Sequence, residues 1–286
     1  MEVKNAVKCI AFVFFLCSGC TFLDNFSSDP AFLIIENVQL NTLSSQGYPS
    51  HKIEDLWVYV DGQLLGVFPL PARIPVLAEG TVKSIRFAAG IRPNAVNTNS
   101  VEYPFYAPLV QDLKLDPGES YPLSLTFSYA QTVVFDFIEA FEGVPFFSKQ
   151  LKGSPEASMT SSTERVFSGT RSGLIRLGPS DTECEMTSEV KFSNKNNKKG
   201  AVYLEMDYQT SIDVFVGVIV ENSIQELKSY KVGLNPNESW NKVYINFTEE
   251  ISSPFVEDYR IVIGVQKPAS VTSSESYFDN IKLLRF

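Results

Sequence analysis

Along most of the chain apolar and polar residues alternate with a period of two, and no stretch keeps a helical period beyond two turns. Side chains on a strand point to opposite faces in turn, so this pattern predicts strands with one buried face. Residues 32–43 read as a first strand. Residues 56–60 and 63–68 flank Asp61-Gly62, a hairpin signal, because Asp-Gly supplies the positive φ angles of a type I′ turn. Pro69, Pro71 and Pro75 confine the next segment to a sheet edge or an irregular connection. Residues 82–88 read as another strand. In 121–129, Leu123, Leu125, Phe127 and Tyr129 point one way, and Ser124, Thr126 and Ser128 the other.

The second half repeats the grammar, with strands expected over 133–138, 172–177, 202–208, 212–220, 240–247, 259–265 and 277–283. Residues 194–200 (NKNNKKG) read as a solvated hairpin tip. Many short strands with turn residues between them argue for an antiparallel sandwich in this half. At 286 residues the chain is long enough for two cores. The expected fold is all-β: a small N-terminal β-sandwich over 31–130, then an antiparallel β-sandwich over 131–286.

The N-terminus has a different character. Lys4 and Lys8 precede an unbroken apolar run over 9–17, too short to span a bilayer as a helix but suited to a signal peptide. Cys17-Ser18-Gly19-Cys20 resembles the lipobox of bacterial lipoprotein precursors, although Leu16 stands four residues before Cys20, one further than is usual. In that family a diacylglycerol joins the cysteine thiol and a peptidase cuts just before it. The resemblance implies a signal peptide over 1–19, acylation of Cys20 and a lipidated tether over 20–30. Several acyl chains exceed the two signals that stable anchoring takes. No acidic cluster directly follows Cys20, so the membrane leaflet stays open.

Two further resemblances concern the body. Residues 58–91, with Asp61-Gly62, Gly66, Pro69 and Gly80, resemble the PEGA-like β-sandwich repeats, which implies a binding or spacer module on a cell envelope. The longer run 55–77 resembles lipoproteins of Bacteroidota, which implies an outer-membrane location. Phe141-Glu142-Gly143, Ser172-Gly173, Trp240 before an alternating strand and Phe278-Asp279-Asn280-Ile281 together resemble the jelly-roll carbohydrate-binding modules. That likeness implies a jelly roll over 131–286, with a structural Ca²⁺ joining its first and last strands through Glu142 and Asp279. Hard oxygen ligands suit Ca²⁺.

Charge and rare residues narrow the chemistry. The net charge is −9, and loss of Glu2, Lys4 and Lys8 with the signal, a net +1, leaves −10. So acidic a body repels phosphate backbones, which excludes nucleic acid as a partner. Three of the four cysteines lie at or before position 20. Cys184 alone lies in the body, between Glu183 and Glu185, so no internal disulfide framework is expected and its thiol is expected to be inert. His51 is the single histidine and sits in a polar loop, a poor basis for a triad. Glycosidases of jelly-roll type set Glu-x-Asp-x-x-Glu on one strand. Here Glu205 and Asp207 fit, but Thr210 replaces the second Glu, which removes the proton donor.

Binding residues remain. Tyr103, Phe105 and Tyr106 sit in a proline-stiffened loop and read as a rigid protein-contact patch, or as plugs sealing the ends of the sandwiches or the domain junction. Tyr203, with Glu205 and Asp207 beside it, reads as a sugar platform, whereas Trp57 and Trp240 read as core residues. The expected function is non-enzymatic: a lipid-anchored envelope protein that docks onto other outer-membrane proteins as a subunit or scaffold. The alternative is glycan capture at the cell surface.

Overall fold

The computed structural model describes residues 29–78, 80–194 and 200–286, so the signal segment and Cys20 lie outside the described residues. The first sandwich is built from β1 (Pro30–Ile35), β2 (Val38–Asn41), β3 (Asp55–Val60), β4 (Gln63–Pro69), β5 (Ala72–Leu77), β6 (Val82–Ile91), β7 (Val101–Glu102), β8 (Leu109–Lys114), β9 (Ser120–Pro122) and β10 (Leu125–Ser128). One layer holds β5-β1-β9 together with β10-β2, and the other holds β4-β3-β6 with β7 and β8 both on β6. Leu33, Ile35, Leu56, Val58, Ile74, Phe87 and Phe127 fill the space between them, each the inward member of an alternating pair. The hairpin turn is as expected: Asp61 and Gly62 take φ of 50° and 82°. Prolines fall at edges too, Pro69 at the end of edge strand β4 and Pro75 within edge strand β5.

Strand direction in this sandwich is mixed. β9 runs parallel to β1, and β10 parallel to β2. These are the first and last strands of the sandwich, so the whole domain serves as the crossover that a parallel pair requires. Each of the two long strands expected over 32–43 and 121–129 is broken in the middle.

The second sandwich comprises β11 (Val134–Glu139), β12 (Lys149–Lys152), β13 (Met159–Ser162), β14 (Ser172–Leu177), β15 (Glu183–Thr187), β16 (Phe192–Ser193), β17 (Val202–Thr210), β18 (Asp213–Glu221), β19 (Glu226–Leu234), β20 (Asn237–Asn246), β21 (Asp258–Gln266) and β22 (Ser274–Arg285), with a single helical turn α1 (Thr248–Ile251). Its sheets are β13-β14-β22-β17-β20, with β11 also on β22, and β12-β15-β21-β18-β19, with β16 also on β21. Of the expected hairpin tip, residues 195–199 lie outside the described residues; the strands before and after it, β16 and β17, belong to different sheets. Asn194 is buried, not solvated, and its Nδ2 donates to the carbonyls of Ile251 (2.7 Å) and Val256 (3.2 Å). Among the described residues no helix is long and apolar enough to cross a membrane.

The two sandwiches share a seam. Tyr203, Tyr244 and Leu284, on the outer face of the first of these sheets, pack into the N-terminal hydrophobic cluster. The N–H of Asn94 donates to the Tyr244 carbonyl at 2.7 Å, and the Asn246 N–H donates to Asn94 Oδ1 at 2.8 Å. That sheet is therefore docked, while the outer face of the sheet containing β18 and β21 is open.

Candidate functional site

On β17 the core takes Leu204, Met206 and Tyr208, so Tyr203, Glu205 and Asp207 face the seam. Glu205 is completely buried. Its Oε1 accepts from Tyr103 Oη at 2.8 Å and its Oε2 from Tyr129 Oη at 2.9 Å, and Lys242 Nζ lies 3.0 Å from Oε2. Burial raises the carboxyl's pKa, but Lys242 and Lys282 outweigh it and hold Glu205 below its ordinary value. Burial likewise pulls the Lys242 ammonium down, yet Glu205 and Asp207 overcome that and hold it above the ordinary lysine range. Asp207 accepts from Ser50 Oγ at 2.5 Å, and burial raises its carboxyl despite Lys242. Lys282 donates to the Tyr48 carbonyl at 2.8 Å, and burial pushes its ammonium down to about 8.

Four expected binding residues are thereby placed elsewhere. Tyr103, Phe105, Tyr106 and Tyr203 are all buried, with Tyr103 packed edge-on against Phe105, Tyr106 and Tyr203 at centroid distances of 4.7–5.5 Å. They do not form an exposed contact patch or a sugar platform; they seal the junction. Rings in this number gain far more from mutual burial than from exposure. Glu205 and Asp207 share a strand face, as period two requires, but the N-terminal sandwich covers them.

Glu142 and Asp279 come to the same loop by different routes. Glu142 accepts from the Thr170 N–H (2.6 Å), the Thr170 hydroxyl (2.5 Å) and the Arg171 N–H (3.1 Å). Asp279 accepts from the N–H groups of Phe167 (3.3 Å), Ser168 (3.0 Å) and Asn280 (2.8 Å), and burial lifts its pKa to about 6. A Ca²⁺ shell needs six to eight oxygens. Here the carboxylates face amide and hydroxyl donors, and among the described residues no three of His, Cys, Asp and Glu gather around one point. This arrangement does not fit the expected calcium; the two carboxylates clasp a loop.

The open face offers the accessible chemistry. The core takes Val214, Val216 and Val218 from β18 and Ile261, Ile263 and Val265 from β21, so Phe215, Gly217, Gly264 and Gln266 face outward. Tyr230 starts on β19, yet a Cβ at Gly264, two strands away, would stand 2.7 Å from its hydroxyl oxygen. The side chain therefore reaches across β18, and glycine at 264 is what leaves room for its hydroxyl end. A Cβ at Gly217 would meet the Ser229 carbonyl at 2.1 Å, so close approach of β19 requires glycine there too. Tyr230 stays 38% exposed, with the half-buried Phe215 ring at 5.7 Å and 55°. Lys152, Glu183, Glu185 and Gln266 complete a shallow depression of about 260 Å³.

Charge in the depression is locked. Glu185 is buried under Lys228 and lies 3.3 Å from Lys152, and the Tyr230 hydroxyl bonds to it. Burial works to raise the Glu185 carboxyl, but these donors hold it below its ordinary value. Burial and this carboxylate together raise the Tyr230 phenol, so the ring stays neutral across physiological pH. A flat neutral ring ringed by hydrogen-bonding groups can stack against C–H groups and bond hydroxyls at once.

Sequence reading missed Phe215 and Tyr230. Its usable signal was Gly217 and Gly264, lone glycines inside apolar strands, a sign of close approach. Other residues sit as follows. Trp240 lies half-buried on the docked sheet, 5.6 Å from Phe167, not in the core. Trp57 is half-buried and its Nε1 lies 3.3 Å from Ser100 Oγ. Cys184 is buried in the core, which pushes its thiol up to about 12. His51 is half-buried at the seam, and burial lowers its pKa.

The fold and these side chains define an all-β protein of two joined sandwiches with an aromatic depression on the open face of the second. No protein-family model matches the chain, and no curated protein sequence does. Several solved structures are similar in shape. One, from work on the promiscuous specificity of carbohydrate-binding modules of the β-sandwich superfamily, is 14% identical over 80% of this chain and 85% of its own, with a TM-score of 0.39. The CBM22-1 xylan-binding domain of Paenibacillus barcinonensis Xyn10C is 10% identical over 55% of this chain and 97% of its own, with a TM-score of 0.39. A family 61 module solved with β-1,4-galactotriose is 12% identical over 49% and 90%, at 0.32. At TM-scores below 0.5 none of these likenesses decides a ligand.

Proposed function

We propose that this chain is a non-catalytic glycan-binding protein of the bacterial envelope, tethered through an acylated Cys20, that engages sugar on the open face of its jelly roll. The observation that carries the reading is the part-exposed Tyr230 ring, reaching across β18 to Gly264 with Phe215 beside it and Glu183 and Gln266 at its rim. Stacking on such a ring gains area at little entropic cost, because tyrosine has only two side-chain torsions. The acidic body and the locked charges favour a neutral polysaccharide here.

Affinity electrophoresis of the full chain through gels holding soluble neutral polysaccharides tests this. At least one polymer retards the protein, and Tyr230→Ala weakens that retention about tenfold, the equivalent of about 1.4 kcal/mol. Unimpeded migration in every gel, or unchanged retention of Tyr230→Ala, refutes it.

The scaffold reading keeps one observation of its own. Edge strand β4 leaves Leu64, Leu65 and Val67 between 38% and 50% exposed, beside an unpaired strand edge. Such an edge is a template for adding a partner's strand.

A further inference from the structure

A second polar recess lies where the two sandwiches meet, on neither face of the open sheet. Residues 52–54 and the loop after β6 form one wall; the β19–β20 turn and the start of β20 form the other. The cleft holds about 290 Å³, close to the lower limit of small-molecule pockets and suited to one ring. Domain boundaries are a preferred place for such sites.

The loop that shapes it is held in an unfavourable conformation. Asn94 and Ala95 both take left-handed φ angles, 59° and 57°, and Ala95 lines the cleft. Residues with a Cβ rarely adopt this region, and two in succession are rarer still. Docking imposes it: Asn94 is bonded to β20 through its backbone N–H and through its side chain. Backbone outliers held in place by their surroundings gather at functional sites.

The lining is selective in chemistry. Asn97, Asn235 and Asn241 present amides, and Tyr208 adds a hydroxyl that accepts from Asn241 Nδ2 at 3.1 Å. Arg92 is already balanced by Glu54 at 3.0 Å and Asp55 at 3.3 Å. Lys52 is different. Its ammonium donates to Asn241 Oδ1 at 3.0 Å, and among the described residues no carboxylate lies within ion-pair distance of it. An ammonium has three donors, so it can take further acceptors. In a chain of net charge −9 this uncompensated cation is a local feature, not part of a basic field.

We infer that the cleft binds a single carboxylate-bearing sugar ring, its hydroxyls on the asparagine amides and its carboxylate on Lys52. This site goes beyond the proposed platform and does not depend on Tyr230. Methyl β-D-glucuronide and methyl β-D-glucoside, which differ in the carboxylate, are titrated into the full chain and followed by NMR. The glucuronide binds at least tenfold more tightly, and rising salt narrows the gap. Lys52→Met abolishes the preference, Lys52→Arg retains most of it and Tyr230→Ala leaves it unchanged; matching thermal unfolding curves show the variants fold alike. Equal affinity for the two probes, no binding of either, or a preference that survives Lys52→Met overturns the inference. Loss of the preference in Tyr230→Ala overturns it as well, by placing the ligand on the open face. Retention of neutral polysaccharide is read separately, so either site can fail alone.

Discussion

On the docked face of the jelly roll Glu205 meets Lys242 at 3.0 Å beneath the N-terminal sandwich; on the open face Glu185 meets Lys228 and Lys152 with solvent above. The residue types are the same and their surroundings are not. Side-chain exposure is 0% for Glu205 and 3% for Lys242, against 6% for Glu185, 32% for Lys228 and 47% for Lys152. Two charges withdrawn from water depend on each other, because neither can be hydrated once its partner is gone. Charges at a surface fall back on water. The docked face therefore holds its ion pair within one sheet, covered by the first sandwich, which bonds it through Tyr103, Tyr129 and Ser50, and the open face keeps its pairs as a rim around a ring.

The comparison breaks if equal substitutions on the two faces have equal effects. Lys242→Met leaves Glu205 buried and unpaired, which costs about 3–5 kcal/mol, whereas Lys228→Met, with Lys152 and Tyr230 still on Glu185, costs about 1 kcal/mol or less. Urea unfolding of both variants checks the contrast. Next in size is a pH effect at the seam. Lys282 titrates at about 8 in the folded chain against an ordinary 10.5, so the unfolded chain holds the extra proton between those values. Its contribution to stability accordingly rises with pH in that window, by about 2 kcal/mol from pH 8 to pH 10, while Cys184, whose thiol burial raises to about 12, contributes in the opposite sense above its ordinary 9.0. The stability difference between wild type and Lys282→Met therefore shifts in favour of wild type as pH rises from 8 to 10; a difference that stays constant assigns the titration elsewhere. Smallest in stability is Gly264→Val. The added side chain displaces the end of Tyr230, so unfolding shifts by about 1 kcal/mol or less while polysaccharide retention falls as it does in Tyr230→Ala. Retention equal to wild type breaks the link between the glycine and the site.

How much was legible varies by element. The strands around Asp61-Gly62 and those over 202–220 and 259–283 follow from alternation, because each buries one face. β19 escaped notice, since residues 226–230 at this sheet edge are all exposed and carry no alternation. The aromatic loop at 103–106 was legible as something rigid and greasy, and of its readings as a contact patch, a plug at a sandwich end or a plug at the junction, the last describes its place. Which reading held could not come from the loop itself, because exposure depends on what packs against it.

By itself the sequence determined the local terms: strand pattern, the turn at Asp61-Gly62, proline at edges and an acidic body. These depend on residues close in the chain, whose spacing sets which side chains share a face. Only the tertiary structure decided that Glu205 and Tyr203 are covered while Tyr230 is open. That choice rests on which sheet the first sandwich docks against, an outcome of burial between segments some hundred residues apart.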